Sequence, residues 1–205
     1  MYVPPKHSVD EDAAWGIVRA AGAGMLIRST PGGLESVYVP VVVGDDCQTL
    51  LTHVARANRW WRSVNDGDDV LVIFLTASAY VSPSNYPSRL ENPGVVPTWN
   101  YVAAEVRGKI LVHDDPQWLS RQVRLVTKSF EENREPEWRV EDAPATYVDQ
   151  QLKAIVGIEI QVISVQGKAK LSQNRSDVDH DAVRDSFAQG TLSERIVAAR
   201  MNRDE

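Results

Sequence analysis

Hydrophobic and polar residues alternate along several short runs of the chain, which is the pattern of β-strands that are buried on one face. Turn-forming Gly, Pro, Asp and Asn residues separate most of these runs. The predicted strands lie at residues 25–29, 34–43, 49–54, 70–75, 95–106, 109–112 and 158–165. Helical spacing of apolar residues occurs between them, and the predicted helices lie at residues 10–21, 55–64, 116–130 and 142–155.

Strands and helices do not alternate regularly enough for a series of βαβ units. The pattern therefore favours a mainly β fold with peripheral helices, an antiparallel barrel, over a doubly wound parallel sheet. Pro40 lies inside a predicted strand, which indicates a sheet edge or a bulge because proline cannot donate to the ladder. Residues 77–94 are rich in Pro, Ser and Asn and predict a long loop.

The C-terminal part of the chain differs from the rest. After Gly167 the sequence becomes polar, and two short helical segments follow at residues 182–188 and 193–202, with a hinge at Gly190. We therefore expect one domain over residues 1–176, with inserted helices, and a helical tail over residues 177–205.

Composition narrows the class of protein. The chain has 205 residues, 43% of them hydrophobic, and a formal net charge of −6. An acidic chain is a weaker candidate for binding nucleic acid, although it can still carry a local basic patch that binds phosphates. The sequence has neither a secretory signal nor an apolar run of the roughly 20 residues that span a bilayer. We therefore expect a cytoplasmic protein without membrane contact.

Several kinds of chemistry lack their sequence signature. The four histidines have no metal-ligand spacing, and Cys47 is the only cysteine, so we expect no metal site. The glycine-rich phosphate loops and the GxSxG nucleophile motif are absent. No catalytic residue can be named from the sequence, and whether the protein is an enzyme stays open.

Four segments concentrate aromatic, amide and hydroxyl side chains. They are THVARANRWW at 52–61, AYVSPSNY at 79–86, VPTWNY at 96–101 and KLSQNR at 170–175. A flat, amphipathic cofactor requires such a set, because its ring needs apolar walls, its polar edge needs fixed donors and its phosphate needs cations and N–H groups.

Two pairs in these segments allow a binding role and a structural role. Arg56 and Asn58 stand where a strand meets a short helix, which suits a phosphate, but Arg56 could equally form a surface ion pair. Thr98 and Asn100 share one face of a strand. If that face is buried, their polar groups must be bonded, either to a ligand or to the backbone.

The segment after the last strand is the third candidate. Lys170, Ser172, Gln173 and Asn174 supply several donors within five positions, and Gly167 allows the chain to bend. The cluster is either a binding loop or a solvated turn.

Taken together, these segments resemble the PaiB family of FMN-binding negative transcriptional regulators. The resemblance rests on MYVPPKH, ARAN, AYVSPSNY, VPTWNY, AIVGIEI and KLSQNR in this order, and it covers residues 1 to about 176. Two positions depart from the family pattern. Arg59 replaces the proline that usually follows ARAN, and Asn85 replaces the tryptophan of YVSPSWY.

The resemblance implies an antiparallel split β-barrel of the pyridoxamine-phosphate-oxidase type, which dimerises and binds FMN at the subunit interface. It also implies three groups of cofactor-binding residues. The strand of Ser36, Val37, Tyr38 and Val39 would line the ring with backbone groups, and Thr52, His53, Arg56 and Asn58 would hold the phosphate side. Lys170, Ser172 and Gln173 would contribute from the partner subunit or the last strand, with Thr98 and Asn100 as further candidates.

Three functions remain open at this point. The chain could be a flavoprotein, as an enzyme or a redox sensor, or an interaction module with a degenerate flavin site. It could also be a transcriptional repressor, in which case Arg195, Arg200 and Arg203 would form the DNA-binding stripe. Acidic residues surround these arginines, so the alternative is that the tail packs on the barrel or on the dimer partner.

Overall fold

A computed structural model describes residues 1–201 of the chain. The strands are β1 (Ala23–Thr30), β2 (Gly33–Pro40), β3 (Val42–Val43), β4 (Thr49–Ala55), β5 (Asp69–Val81), β6 (Thr98–His113) and β7 (Ile155–Lys170). The α-helices are α1 (Glu11–Ala21), α2 (Pro116–Glu131), α3 (Ala145–Lys153), α4 (Asp177–Ala188) and α5 (Leu192–Ala198). Short 3-10 helices cover Pro5–His7, Arg59–Ser63, Pro83–Asn85, Pro87–Leu90 and Val140–Asp142.

The strands form a seven-stranded sheet in the order β2-β1-β5-β6-β7-β4-β3. Strand β1 pairs antiparallel with both β2 and β5, and β4 pairs antiparallel with both β3 and β7. The predicted mainly β, antiparallel fold with peripheral helices is confirmed. Pro40 is the last residue of β2, which is an edge strand, as its missing N–H led us to expect.

The chain divides into two compact units. The first unit consists of Met1–Ala20, Phe74–Glu105 and the described part of Gln166–Glu205. The second unit consists of Ala21–Ile73 and Val106–Val165. In the described residues no helix has the length and apolar character that a membrane span requires.

The core of the second unit is built from the inward faces of its strands and from α2. Leu26, Val72 and Ile158 are completely buried there. Helix α2 packs closely on β7 at Gly157, where a Cβ atom would lie 2.2 Å from the Trp118 ring. Only glycine leaves room for that ring.

The core of the first unit combines α1 and α4 with strand ends. Its least exposed large side chains include Phe74, Tyr86 and Phe187. Helix α4 also makes polar contacts, since the Ser88 hydroxyl donates to the Asp179 carboxylate at 2.7 Å. The C-terminal helices therefore pack on their own unit, and Asp179 is buried by that contact.

The structure corrects several predicted boundaries. Strand β6 is continuous, whereas we expected a break near Gly108. Glycine is required at this position because a Cβ atom would lie only 2.3 Å from the Gln161 carbonyl oxygen. Strand β5 continues to Val81, so the loop predicted from residue 77 begins later. Small residues such as Ala77 and Ala79 are buried in that extension and conceal its alternation.

Three helix predictions are corrected as well. The helix expected at residues 55–64 is only the 3-10 helix Arg59–Ser63. Helix α4 begins at Asp177, five positions before its expected start at residue 182, because the Ser176 side chain caps it. Helix α5 ends at Ala198, before the expected end at residue 202, which itself lies outside the described residues.

Candidate functional site

Strand β2, the predicted ring-binding strand, lies at the edge of the sheet and pairs only with β1 within the described residues. Its other edge carries backbone N–H and C=O groups that no strand of the described sheet satisfies. The side chains of Ser36 and Tyr38 are exposed, and Val39 on the opposite face is buried with 3% exposure. Val37, which shares the face of Val39, is partly exposed.

An exposed row of apolar side chains crosses the three strands next to this edge. Tyr38 pairs directly with Met25 of β1, and Met25 pairs directly with Ile73 of β5. Residues directly opposite each other point to the same face of a sheet, so the three side chains are neighbours. Their exposed fractions are 67%, 37% and 40% respectively. We call Tyr38, Met25 and Ile73 the apolar row.

Strand β4 places Thr52 and His53 on opposite faces. Thr52 is completely buried, and its hydroxyl donates to the Pro40 carbonyl oxygen at 2.5 Å. The Nδ1 atom of His53 lies 3.1 Å from Oε1 of Gln122 on α2. Burial lowers the pKa of His53, and the hydrogen bond with Gln122 offsets part of that effect. The Nε2 atom of Gln122 is buried without a hydrogen-bond partner in the part of the chain that the structure describes.

Arg56 forms a structural ion pair. Its terminal nitrogens both donate to the Asp114 carboxylate, one of them at 3.0 Å. Nε donates to the Lys153 carbonyl oxygen at 2.8 Å, and a terminal nitrogen donates to that of Ile155 at 2.9 Å. The hydrogen bonds with Asp114 raise the pKa of Arg56 and lower that of the carboxyl. Arg56 thus ties the end of β4 to the junction of α3 and β7, and most of its donors are in use.

Asn58 caps the 3-10 helix that follows, since its side-chain oxygen accepts from the Trp60 backbone N–H at 3.0 Å. Arg59, one of the two departures from the family pattern, is exposed at the start of that helix. The other departure, Asn85, donates to the Ser186 hydroxyl of α4 at 2.7 Å. Asn85 therefore has a structural partner in its own unit.

In the first unit, Asn100 and Ser172 join two of the sequence signatures. Asn100 Nδ2 donates to Ser172 Oγ at 3.0 Å, and the Ser172 hydroxyl is 3.1 Å from Asn100 Oδ1. Their exposed fractions are 0% and 3%, so the pair is satisfied without water. Asn100 Nδ2 also lies 3.7 Å from the Met201 sulfur. VPTWNY and KLSQNR are thereby connected through a buried contact.

Gln173 stabilises the loop from within. Its Oε1 accepts from the Leu171 backbone N–H at 2.7 Å and lies 3.2 Å from His7 Nδ1, while its Nε2 donates to the Ala169 carbonyl oxygen at 2.6 Å. Ser172 has a φ of 66°, and the contacts of Gln173 and Asn100 hold this left-handed conformation. The loop is therefore an ordered turn with internal partners, rather than a freely solvated one.

Lys170 is the cation of this group. Its ammonium donates to the Thr98 hydroxyl and to the Trp99 carbonyl oxygen at 2.7 Å. An ammonium has three donors, so one stays available. Burial is the main cause that lowers its pKa, and nearby Lys168 and Arg175 lower it further. An anion bound here would relieve that repulsion.

Sequence reasoning missed the partners that fix these residues. Asp114, Gln122 and His7 were not candidates, yet they contact Arg56, His53 and Gln173. His7 belongs to the MYVPPKH segment, but the sequence pattern alone does not indicate that this segment contacts Gln173. The described residues hold no cluster of His, Cys, Asp and Glu suited to a metal ion.

Comparison with known proteins identifies relatives along most of the chain. Residues 1–164 match the family described as "Putative FMN-binding domain". The chain is 31% identical over 183 residues to the protease synthase and sporulation protein PAI 2 of Bacillus subtilis, covering 88% of this chain and 86% of that protein. It is also 36% identical over 148 residues to an uncharacterized protein of Emericella nidulans, covering 66% of this chain and 59% of that protein.

Solved structures share the fold at low sequence identity. The flavocytochrome Anf3 of Azotobacter vinelandii has a TM-score of 0.60 at 12% identity, covering 84% of this chain and 73% of that one. The FAD and heme binding protein of Mycobacterium smegmatis has a TM-score of 0.58 at 16% identity, and the alignment covers 86% of this chain and 80% of that one. These likenesses establish the split-barrel fold.

Removing either partner of the Asn100–Ser172 pair should destabilise the protein. Asn100→Ala and Ser172→Ala each leave a buried polar group without its partner, which costs about 1–3 kcal/mol. Because both variants remove the same contact, we expect the double variant to lose less than the sum of the two. Urea unfolding of the full chain measures this. Asn174→Ala, at an exposed position of the same loop, is the control, and equal losses in all variants would contradict the assignment.

His53 should make the protein less stable in mild acid. Its folded pKa lies below the ordinary value of 6.5, so the unfolded chain binds the proton first as the pH falls. The contribution of neutral His53 to the free energy of unfolding is fully present above pH 6.5. It is lost as the pH falls from 6.5 through the folded pKa. His53→Gln should reduce this loss in unfolding experiments between pH 7.5 and 5, leaving the part due to His7, whose pKa is also lowered by burial. An unchanged slope in the variant would show that His53 is not the group responsible.

Proposed function

The chain belongs to the PaiB family of FMN-binding domains, and from that premise we propose that it is a homodimeric flavoprotein that binds FMN along strand β2. The observation that carries the proposal is the unpaired edge of β2 beside the exposed apolar row. A flavin ring combines an apolar body with a polar edge, and this surface offers apolar side chains together with unpaired backbone groups.

The donors of β2 and β4 fit such a ligand. Backbone groups at Ser36 and Tyr38 would hold the polar edge of the ring, and Tyr38 would cover part of its face. On β4, the unsatisfied amide of Gln122 lies beside His53, where the family resemblance places the phosphate side. When bound, FMN would supply hydride or electron transfer, while the protein binds and orients it.

Arg56 and Lys170 have different proposed roles: Arg56 supports the site structurally, and Lys170 contacts the ligand. Arg56 is paired with Asp114 and would shape the phosphate side with Thr52 and Asn58, rather than neutralise the charge. Lys170 keeps a donor and a charge without a carboxylate partner in the described chain, so we propose it as a cationic contact that one copy of the chain would supply to the flavin on β2 of the other copy. Thr98, Asn100, Ser172 and Gln173 would position it.

A second copy of the chain would cover the apolar row. Tyr38, Met25 and Ile73 lie on one face of adjacent strands and are partly or mainly exposed. Contiguous exposed apolar surface next to an open strand edge favours association, because burial removes it from water. A symmetric dimer through this face would enclose the flavin from both sides.

The described chain gives little support to direct DNA contact by the C-terminal helices. Arg195 donates to the Gly190 carbonyl oxygen, and Arg184 pairs with Asp181 and Asp185. Arg203, the third residue of the expected stripe, lies outside the described residues. We therefore propose flavin binding, and not DNA recognition by the tail, as the function of this chain.

A charge on the apolar row should abolish both dimerisation and tight FMN binding. Tyr38→Glu would place a carboxylate against apolar surface and beside the flavin phosphate or ring. We expect the wild-type protein to sediment as a dimer and to bind one FMN per chain by calorimetry. We expect the variant to be monomeric with an affinity at least about tenfold weaker, a loss of roughly 1.4 kcal/mol.

Tyr147→Glu is the matched control, because Tyr147 is also an exposed tyrosine, at 54%, but lies on α3. It should bind FMN and dimerise as the wild type does. Failure of the wild-type protein to bind FMN would refute the proposal, and so would equal behaviour of the two variants.

A further inference from the structure

A cavity of about 690 Å³ lies entirely within the first unit. Helix α1, the segment after β7, helix α4 and the chain after α5 all contribute to its lining. Its apolar walls are formed by Ile17, Val102, Leu171 and Met201. This volume and this mainly apolar lining are typical of sites for small organic ligands.

Two basic side chains also line the cavity. His180 is only 2% exposed, and its Nδ1 lies 3.3 Å from Asp181, while its Nε2 has no hydrogen-bond partner among residues 1–201. Arg200 is exposed, and its side chain makes no hydrogen bond or ion pair within the same range. The lining residues include no Asp or Glu in the described chain. The imidazole Nε2 of His180 and the guanidinium of Arg200 can therefore both form hydrogen bonds with a ligand in the cavity.

We propose that this cavity binds a small amphipathic monocarboxylate. The guanidinium of Arg200 would bind the carboxylate, His180 Nε2 would supply a second polar contact, and the apolar walls would enclose the hydrocarbon part. One guanidinium can bind both oxygens of one carboxylate, whereas a phosphate group is usually held by several donors. The proposal goes beyond flavin binding and does not depend on it, because all of its residues lie in the first unit.

The walls are held in place before any ligand binds. Asn100 contacts both Ser172 and the sulfur of Met201, and the Gln173 side chain holds the Leu171 backbone N–H. Two walls are therefore fixed by buried or internal hydrogen bonds. A pre-formed site loses less conformational entropy on binding, which favours affinity.

The test uses 2-naphthoate as the probe and 2-naphthamide as its neutral match. We expect the full chain to bind one 2-naphthoate saturably, measured by its fluorescence, and to bind the amide at least about tenfold more weakly. Arg200→Gln should reduce the affinity for 2-naphthoate by at least about tenfold. Arg195→Gln removes the same charge from α5 outside the cavity lining and should leave the affinity unchanged.

Gly16→Leu tests the volume separately from the charge. Gly16 lines the cavity, and a Cβ built on it meets nothing within 4 Å, so a larger side chain can enter without breaking the helix. This variant should lose 2-naphthoate binding while its thermal unfolding temperature stays at or above that of the wild type.

Three results would overturn the proposal: no saturable binding of 2-naphthoate, equal affinity in Arg200→Gln and Arg195→Gln, or displacement of 2-naphthoate by FMN. The last result would assign the cavity to the flavin instead. Failure of FMN to bind at all would refute the proposed function but leave this site intact, so the two failures are distinguishable.

Discussion

The buried contact between Asn100 and Ser172 is the constraint on which the first unit depends. Neither side chain can reach water, so each must satisfy the other. Their pairing fixes the start of β6 against the turn that follows β7, and Gln173 then holds the turn from inside. The pair supports the left-handed backbone of Ser172, while Gln173 holds Leu171 and Asn100 also contacts the Met201 sulfur.

In the second unit, the main constraint is that the outer edge of β2 has no partner strand within the described residues. A strand edge exposes backbone groups that attract a partner, and proteins usually cover or interrupt such edges. Pro40 ends this edge, but Tyr38, Met25 and Ile73 leave an apolar surface beside it. In the proposed dimer, a flavin would supply polar groups to the edge, and a second copy of the chain would bury the apolar row.

The sequence predicted the elements with a strong local pattern and failed where the pattern was weak or the contact distant. Alternation located β1, β2 and β4, and Asp115 with Pro116 correctly marked the start of α2, where Asp115 accepts from the Trp118 N–H. The extension of β5 through Ala77 and Ala79 was missed because small residues carry little hydrophobic signal. Gly108 was read as a break, although it serves a close approach between strands.

The candidate site shows the same division. KLSQNR and VPTWNY were recognised as special segments, but one-dimensional spacing could not show that Asn100 and Ser172 bond to each other. Likewise, Arg56 has a suitable position for a phosphate, and only the three-dimensional structure reveals Asp114 as its partner. Residue type indicates which groups can bind a ligand, whereas long-range contacts decide which of them remain available.

The central claim is that FMN binds along the open edge of β2, and amide hydrogen exchange tests it most directly. Backbone N–H groups of residues 36–39 that do not bond to β1 should exchange more slowly when FMN is added to the protein. Amides of the sheet interior, such as those of β7, should change little. Unchanged exchange at residues 36–39 under conditions in which FMN is bound would place the flavin elsewhere and contradict the account.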